Sequence, residues 1–290
     1  MSGWLDRGSY LESIHPQGSQ EWLDVKAEYV TPTYAVDLMG LGFNTKEHAL
    51  VRLSGIAPPS AYDNFTPEQR TIMQKGHICE AASKVWYAKR IKATITDVGF
   101  ITPKLETDVK IGISLDGQIR QGNKPVRNLE CKYTERISHE LLEQDYIDAK
   151  HMFQMQMGMA VTGEQQCDYL VYIAPLKEYY ITTIDFNKKY WIKQYAILKD
   201  IILTELSPLR EWAKLYHRGL VSLEWPLVIT TTVMGYRIAR VLSIDSAARA
   251  VKPQTAEQWN DFFKAQSREQ CVDILNDYFP DELTHDISKC

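Results

Sequence analysis

Two short segments of this sequence combine strand-forming apolar residues with charged side chains. They are Ile113–Gly117, which contains Asp116, and Glu130–Lys132, with thirteen residues between Asp116 and Glu130. Successive side chains of a strand point to opposite faces of a sheet, so Glu130 and Lys132 share one face. Charged side chains are rarely buried in a sheet unless they are paired or bind something. These segments therefore constrain the fold more than any other feature.

A turn at Gly122–Pro125 would join the two strands in a hairpin and bring their polar faces together. Asp116, Glu130 and Lys132 would then converge on one point beside the sheet. Two hard carboxylates and a lysine suit a magnesium ion and a water molecule that attacks a phosphodiester. The alternative is a surface hairpin in which Lys132 simply pairs with one of the carboxylates across the strands.

Length and composition are those of a folded protein with a substantial core. At 290 residues, 44% of them hydrophobic, the chain fits one large domain or a domain with an appendage. It contains no apolar run of about 18 residues, so we expect no membrane span. The five cysteines are scattered without a Cys-x-x-Cys pair, which argues against a zinc ribbon or a disulfide scaffold. Together with an N-terminus that lacks a secretory signal, this predicts a cytoplasmic protein.

The net charge of −4 is concentrated at the C-terminal end. Residues 261–290 contain seven acidic and three basic side chains, so residues 1–260 balance to zero. A nuclease needs acidic residues at its metal site, and overall neutrality therefore neither excludes nor favours a DNA substrate.

The rest of the pattern predicts an α/β (α+β) fold with a mixed central sheet flanked by helices. An almost continuous apolar strand at 167–175 indicates a sheet that is covered on both faces. A second strand is expected at 179–185. Helices are expected at 31–39, 66–90, 138–161 and 188–217, the last broken near Pro208. A capping box at Thr255 predicts a final helix.

Five motifs, in order and spacing, make the chain resemble the lambda-exonuclease/YqaJ-like viral recombinase family. The Asp–x13–Glu–x–Lys spacing is itself the pattern of the PD-(D/E)XK nuclease superfamily, to which that family belongs. The resemblance covers about residues 15–200. The motifs are Gln17–Leu23 followed by Lys26 and Thr31-Pro32-Thr33, Gly76-x-x-x-Glu80, Ser114-Leu115-Asp116-Gly117, Glu130-Cys131-Lys132 and Gln154-Met155-Gln156.

The resemblance implies a restriction-endonuclease-like core, with an exonuclease domain over residues 1–205. Residues 206–290 would form a mostly helical C-terminal extension of unknown role. The implied activity is 5′–3′ digestion of one strand of linear double-stranded DNA, dependent on Mg²⁺ with Mn²⁺ as a substitute. It leaves 3′ single-stranded overhangs for phage-type recombination. The implied partners are double-stranded DNA ends, two further copies of the chain in a homotrimer, and a single-strand annealing protein, without a membrane. A phage or prophage protein of this kind would work in the cytoplasm of a bacterial host.

Carried over by motif, the resemblance also assigns roles to individual residues. Asp116 and Glu130 would bind the metal ion together with the carbonyl oxygen of Cys131. Glu80 would hold a water molecule on the metal or a second ion. Lys132 would orient or help to deprotonate the attacking water. Gln156 would support Lys132, and Gln154 is a candidate DNA contact.

The 5′-phosphate of the DNA would be received by Lys26, Thr33 and Ser114. Lys26 stands where the family has arginine, and a lysine cannot make the two-pronged contact of a guanidinium group. Thr33 keeps a hydroxyl near a helix N-terminus, where free N–H groups and the helix dipole favour anions.

Each assignment has a simpler structural alternative. Glu80 could form an exposed i,i+4 pair with Lys84, although Gly76, one turn earlier, is expected to let this helix approach a sheet closely. Gln156 could be bonded to nearby backbone, and Lys26 could be a solvated charge. His151 is expected to lie on a helix surface.

Two other functions also fit the sequence. One is a PD-(D/E)XK endonuclease or repair nuclease, because the same three residues serve all enzymes of this fold. The other is a DNA-end-binding protein that has lost catalysis.

Overall fold

A computed structural model describes residues 3–55, 66–104, 109–122, 124–135, 147–217, 227–232 and 235–240. The strands in this part of the chain are β1 (Trp4–Asp6), β2 (Tyr10–Ser13), β3 (Thr94–Thr96), β4 (Phe100–Pro103), β5 (Ile113–Ser114), β6 (Gly117–Gln121), β7 (Lys124–Thr134), β8 (Gln166–Ile173), β9 (Glu178–Asp185), β10 (Leu227–Thr232) and β11 (Gly235–Arg240). The helices are α1 (Gln20–Ala27), α2 (Pro32–Leu38), α3 (Lys46–Ser54), α4 (Pro67–Ile91), α5 (Ala149–Thr162), α6 (Lys188–Ile201) and α7 (Ser207–His217), with a π-helical turn at Ile202–Leu206.

The chain divides into two compact units. The first consists of Met1–Gly42 and Phe65–Lys199, and the second of Phe43–Asn64 and Asp200–Cys290. All the residues that the motifs single out lie in the first unit. None of the described helices combines the length and the apolar character that crossing a membrane requires.

A five-stranded mixed sheet in the order β3-β6-β7-β8-β9 forms the centre of the first unit. β7 and β8 are parallel, whereas the other neighbours are antiparallel. β6 and β7 form the predicted hairpin, which closes with Gln121 opposite Lys124. The mixed sheet with helices on its faces confirms the expected α/β class.

Each face of this main sheet carries its own apolar cluster, because side chains alternate along β7 and β8. The cluster on the side of α4 contains Tyr87, Ile119, Leu129, Cys131 and Leu170. The cluster on the side of α5 contains Met155, Met159, Cys167, Tyr169, Val171 and Ile173. The apolar run at 167–175 is therefore explained by burial on both faces, as the sequence predicted.

The segment Ile113–Gly117 is divided between two sheets, which differs from the single hairpin strand expected. Ile113 and Ser114 pair with β4 in a separate antiparallel sheet of β1, β2, β4 and β5. Gly117 already pairs with Leu129 in the main sheet. Ile113 and Leu115 bury their side chains in a cluster with residues of β2, β4 and α5. This burial directs the chain from one sheet to the other at Asp116.

Two helices that flank the main sheet begin at clear capping signals. Thr66 and Gln69 form the reciprocal capping box that opens α4, with Pro67 in its first turn. The Asp148 side chain accepts the backbone N–H of Lys150 at the start of α5. The expected helix from residue 138 therefore begins at Ala149 in the described part of the chain. Residues 136–146 lie outside it.

In the second unit, α3, the π turn and α7 pack together. Lys46 forms an ion pair with Glu205, and the Arg210 Nε donates to the Leu53 carbonyl at 3.0 Å. The predicted break near Pro208 is this π turn, where the Ser207 N–H reaches the Ile202 carbonyl.

The C-terminal extension is not wholly helical. β10 and β11 form an antiparallel hairpin within 206–290, a span that was expected to be mostly helical. The capping box at Thr255 and the acidic stretch 261–290 lie outside the described residues.

Candidate active site

Alternation along β7 places Glu130 and Lys132 on the face of the main sheet that packs against α5. Cys131 points the opposite way into the cluster beside α4, as the sequence predicted. The Lys132 ammonium forms an ion pair with Oε1 of Glu130. Glu130 is only 2% exposed, so its charge is withdrawn from water and Lys132 is its counterion.

Asp116 lies at the junction of β5 and β6, beside the edge of β7. The pairing of β6 with β7 begins at Gly117 and Leu129, so Cys131 has no β6 partner. The Oδ2 of Asp116 fills this place and accepts the Cys131 N–H at 2.7 Å. Asp116 thus reaches β7 although it is not part of a strand itself.

The same hydrogen bond indicates where the carbonyl of Cys131 lies. The N–H and C=O of one strand residue point to the same edge of the strand. Since the N–H of Cys131 points toward Asp116, its carbonyl oxygen faces that side as well. Two carboxylates and one carbonyl oxygen therefore surround the open edge of β7.

α4 brings Glu80 to the same place through Lys84. The Lys84 ammonium lies 3.0 Å from Glu80 Oε1 and 2.9 Å from the backbone carbonyl of Asp116. The i,i+4 ion pair between Glu80 and Lys84 that was considered from the sequence is therefore present. Through its bond to the Asp116 carbonyl, Lys84 also contacts the candidate site. The helix contacts the sheet at Ser83 and Tyr87, whereas no described atom lies within 4 Å of a side chain placed at Gly76. The close approach expected at Gly76 is wrong.

The electrostatics show that these groups act on one another. Burial raises the pKa of Asp116, the Lys132 ammonium opposes this, and the Glu80 carboxylate raises it further. Burial and the Asp116 carboxylate raise the pKa of Glu130 to about 8, against the attraction of Lys132. Burial lowers the pKa of Lys132, but the carboxylates of Glu130 and Asp116 raise it above its ordinary range. The carboxyl groups of Glu80, Asp116 and Glu130 therefore act on one another, and Lys132 can balance the charge of only one of them.

The donor set fits a small hard cation. Carboxylate and carbonyl oxygens are the ligands that Mg²⁺ takes, and a cation would relieve the repulsion between Asp116 and Glu130. Among the described residues, no group of three or more His, Cys, Asp or Glu side chains is yet arranged to hold a metal ion. Each carboxylate is engaged by a protein donor instead: Glu130 by Lys132, Asp116 by the Cys131 amide, and Glu80 by Lys84.

Of the three residues expected at the 5′-phosphate, Thr33 and Ser114 lie in segments that adjoin each other. Val30 and Ile111 form a parallel bridge, which brings the residues before α2 beside those before β5. Thr33 is exposed in the first turn of α2, and the Oγ of Ser114 is buried with no hydrogen-bond partner among the described residues. The Lys26 ammonium lies 4.5 Å from the centre of the Trp22 ring.

Gln156 is buried, but its amide is used for structure. Its Nε2 donates to the Asp185 carbonyl at 2.9 Å, and its Oε1 accepts the Asn187 N–H at 2.8 Å. Gln156 therefore ties α5 to the connection between β9 and α6. These bonds to backbone are the alternative considered from the sequence, and none of the described hydrogen bonds of the amide reaches Lys132. Gln154 is half-buried on the same helix.

A histidine and a tyrosine beside Lys132 were not predicted to be part of the site. The Nδ1 of His151 lies 2.7 Å from the Tyr169 hydroxyl, and Tyr169 pairs with Glu130 across β7 and β8. Burial and the Lys132 charge lower the pKa of His151 to about 3. His151 is therefore a half-buried, neutral group and not the surface histidine that was expected. The sequence signal that could have identified this pair is the position of Tyr169 on the predicted buried strand.

Among solved structures, the chain resembles the alkaline exonuclease LHK-Exo from Laribacter hongkongensis. The two share 21% identity and superpose with a TM-score of 0.56, over 70% of this chain and 100% of the other. The structure of LHK-Exo in complex with dAMP matches with 20% identity and a TM-score of 0.50, over 69% and 97% of the two chains. At this identity the likeness establishes the fold.

The family is identified by the sequence itself. The profile of the YqaJ-like viral recombinase domain matches residues 21–165, which is half of the chain. That range contains Glu80, Asp116, Glu130 and Lys132. Comparison with curated proteins finds no match. The chain therefore belongs to the YqaJ-like viral recombinase family and has the fold of the PD-(D/E)XK nucleases.

Proposed function

We propose that this protein is a magnesium-dependent exonuclease that digests one strand of linear double-stranded DNA from its 5′ end. The observation that carries the proposal is the convergence of Asp116, Glu130 and Lys132 beside the open edge of β7. The 3′ overhangs that remain would serve phage-type recombination. The structural neighbour is itself named an exonuclease and was crystallised with dAMP, a mononucleotide.

Asp116, Glu130 and the carbonyl of Cys131 would hold the cation, with Glu80 holding water or a second ion beside them. When bound, the cation supplies charge neutralisation at the scissile phosphate and lowers the pKa of a bound water molecule. Mn²⁺ would substitute for Mg²⁺, because both accept carboxylate and carbonyl oxygens.

Lys132 would orient the attacking water or help to remove its proton. Its ammonium is held beside the buried Glu130 carboxylate, so its position is fixed before DNA binds. His151 and Tyr169 lie next to it and are joined to each other by a hydrogen bond. Fixed groups of this kind lower the reorganisation that the reaction requires.

Lys26, Thr33 and Ser114 would receive the 5′-phosphate and so select a DNA end. The support for this is the buried hydroxyl of Ser114, two residues before Asp116, for which the described part of the chain offers no hydrogen-bond partner. A buried hydroxyl without a partner is costly, and a phosphate oxygen would satisfy it. The proposal also includes a homotrimer around DNA and an annealing protein that takes over the 3′ strand. Both rest on the resemblance alone.

The test compares linear and circular substrates in the presence of Mg²⁺. We expect linear duplex with 5′-phosphates to be degraded from labelled 5′ ends, while supercoiled plasmid stays intact. Duplex with 5′-hydroxyl ends should be degraded more slowly, because Lys26, Thr33 and Ser114 lose their ligand. Nicking of the plasmid would instead indicate an endonuclease of the same fold. Metal-independent binding without cleavage would indicate a DNA-end-binding protein.

A further inference from the structure

The ammonium of Lys84 connects three acceptors around the candidate site. It lies 3.0 Å from Glu80 Oε1, 2.8 Å from Asp97 Oδ1 and 2.9 Å from the backbone carbonyl of Asp116. A lysine ammonium has three N–H donors, so each donor has its own acceptor. None of the motifs that identified the site includes Lys84.

The aliphatic part of Lys84 reaches this position across Gly117. A Cβ at Gly117 would lie 3.6 Å from Cδ of Lys84 and 2.9 Å from Cγ2 of Ile95. Because Gly117 has no side chain, the stem of Lys84 can pass close to the backbone of β6 at this residue. The Lys84 side chain is 19% exposed, so most of it is withdrawn from solvent along this path.

The consequence is that Asp116 is held from two sides. Its backbone carbonyl accepts from Lys84, and its carboxylate accepts from the Cys131 N–H. The same ammonium holds the carboxylate of Glu80. One ammonium therefore contacts both the Glu80 carboxylate and the Asp116 backbone carbonyl, although the two residues come from α4 and from the junction of two sheets.

We propose that Lys84 is a positioning residue that presets the separation of the Glu80 and Asp116 carboxylates for a divalent cation. This inference rests on the proposed function, since it assumes that these carboxylates bind the ion. Mutation of groups that orient the ligands of a metal typically lowers the metal affinity by about 10–100-fold.

The sign of the effect separates positioning from simple charge repulsion. An ammonium near a metal site repels the cation. If Lys84 acted only through its charge, or competed with the ion for Glu80, its removal would tighten metal binding. If it positions the carboxylates, its removal weakens binding in spite of the lost repulsion.

The experiment measures Mg²⁺ and Mn²⁺ binding to the full chain by calorimetry, without DNA. Lys84→Met keeps the aliphatic stem and removes the ammonium. We expect it to weaken metal binding by about tenfold, and Lys84→Arg to recover most of the affinity. Lys89→Met, the same change at an exposed lysine of α4, should bind as the wild type does. Metal binding by Lys84→Met that equals or exceeds the wild type overturns the inference.

A second variant covers the case in which Lys84→Met does not fold, which thermal unfolding will show. Asp97 is 83% exposed, so Asp97→Ala removes one anchor of the ammonium with little effect on the core. Asp97→Asn removes the same negative charge but keeps an acceptor for the ammonium, so Asp97→Ala should bind the metal more weakly than Asp97→Asn. Equal affinity of these two variants overturns the inference. A wild-type protein that binds no divalent cation defeats the proposed function and this inference with it. A wild type that binds while Lys84→Met binds equally well defeats only the inference.

Discussion

The carboxylate of Asp116 takes the place of a neighbouring strand beside Cys131. Its Oδ2 lies 2.7 Å from the Cys131 amide nitrogen, at the point where β6 no longer pairs with β7. This bond holds an acidic group against an open strand edge that also presents a backbone carbonyl. The residue immediately before Gly117 therefore places its carboxylate beside that carbonyl.

Asp116→Asn should reduce the rate of DNA degradation by at least about a hundredfold, because the amide keeps an acceptor for Cys131 but loses the charge that binds the cation. The Asp116→Asn variant should still fold. The rate of release of labelled nucleotide from linear duplex in Mg²⁺ measures the effect. Asp6→Asn is the matched control, since Asp6 pairs with Lys104 at the surface. Equal loss of activity in both variants would contradict the role of Asp116.

Gly117→Ala should destabilise the protein by about 1–3 kcal/mol, because its Cβ would lie 2.9 Å from Ile95. Gly76→Ala is the opposite case. Its Cβ meets no described atom within 4 Å, and alanine is favoured over glycine within a helix, so a gain of about 0.5–1 kcal/mol is expected. Urea unfolding measures both variants. A Gly117→Ala protein as stable as the wild type would contradict the close packing of Gly117 against Ile95.

The polar pattern on β7 could be predicted from the sequence, because alternation along a strand needs no knowledge of the partners. The position of Asp116 could not, since the burial of Ile113 and Leu115 in a second sheet decides where the chain turns. Lys84 was visible only as an i,i+4 neighbour of Glu80. Its reach to the Asp116 carbonyl depends on how α4 crosses the sheet.

Which face of α4 is buried could not be predicted from the sequence either. Its apolar residues Ile72, Met73 and Val85 are exposed, while Ser83 and Tyr87 are buried. The helical spacing of Ile72, Met73 and Val85 predicts a helix in this segment, but these residues do not lie on its buried face. On the buried face, the Tyr87 hydroxyl donates to the buried Asp168 at 3.0 Å, a polar contact that hydrophobic periodicity does not indicate.

Gln156→Ala should act on stability and not on the chemical step. The variant loses two hydrogen bonds to the backbone of Asp185 and Asn187, which should cost about 2 kcal/mol. The activity of the folded fraction should stay within a few-fold of the wild type. Gln154→Ala, on the same helix, should change the free energy of unfolding by less than about 0.5 kcal/mol. A stable but inactive Gln156→Ala protein would instead support the catalytic role that the family resemblance implies.

His151 should make the protein less stable as the pH falls. Its pKa is lowered to about 3 in the folded state, so the unfolded chain takes up a proton first as the pH drops below about 6.5. Between pH 7 and pH 5 this should cost about 1–2 kcal/mol. His151→Gln, which can still bond the Tyr169 hydroxyl, should lose less stability over that range. Parallel urea unfolding curves at both pH values decide this, and an identical pH dependence in the two proteins would contradict it.

The most direct test of the account is to locate Mn²⁺ by anomalous scattering in crystals of the wild-type protein. We expect a peak at roughly 2.1 Å from carboxylate oxygens of Asp116 and Glu130, on the side of the Cys131 carbonyl, and its loss in Asp116→Asn. A Mn²⁺ peak elsewhere in the chain, or none at a concentration that supports DNA degradation, would contradict the central claim.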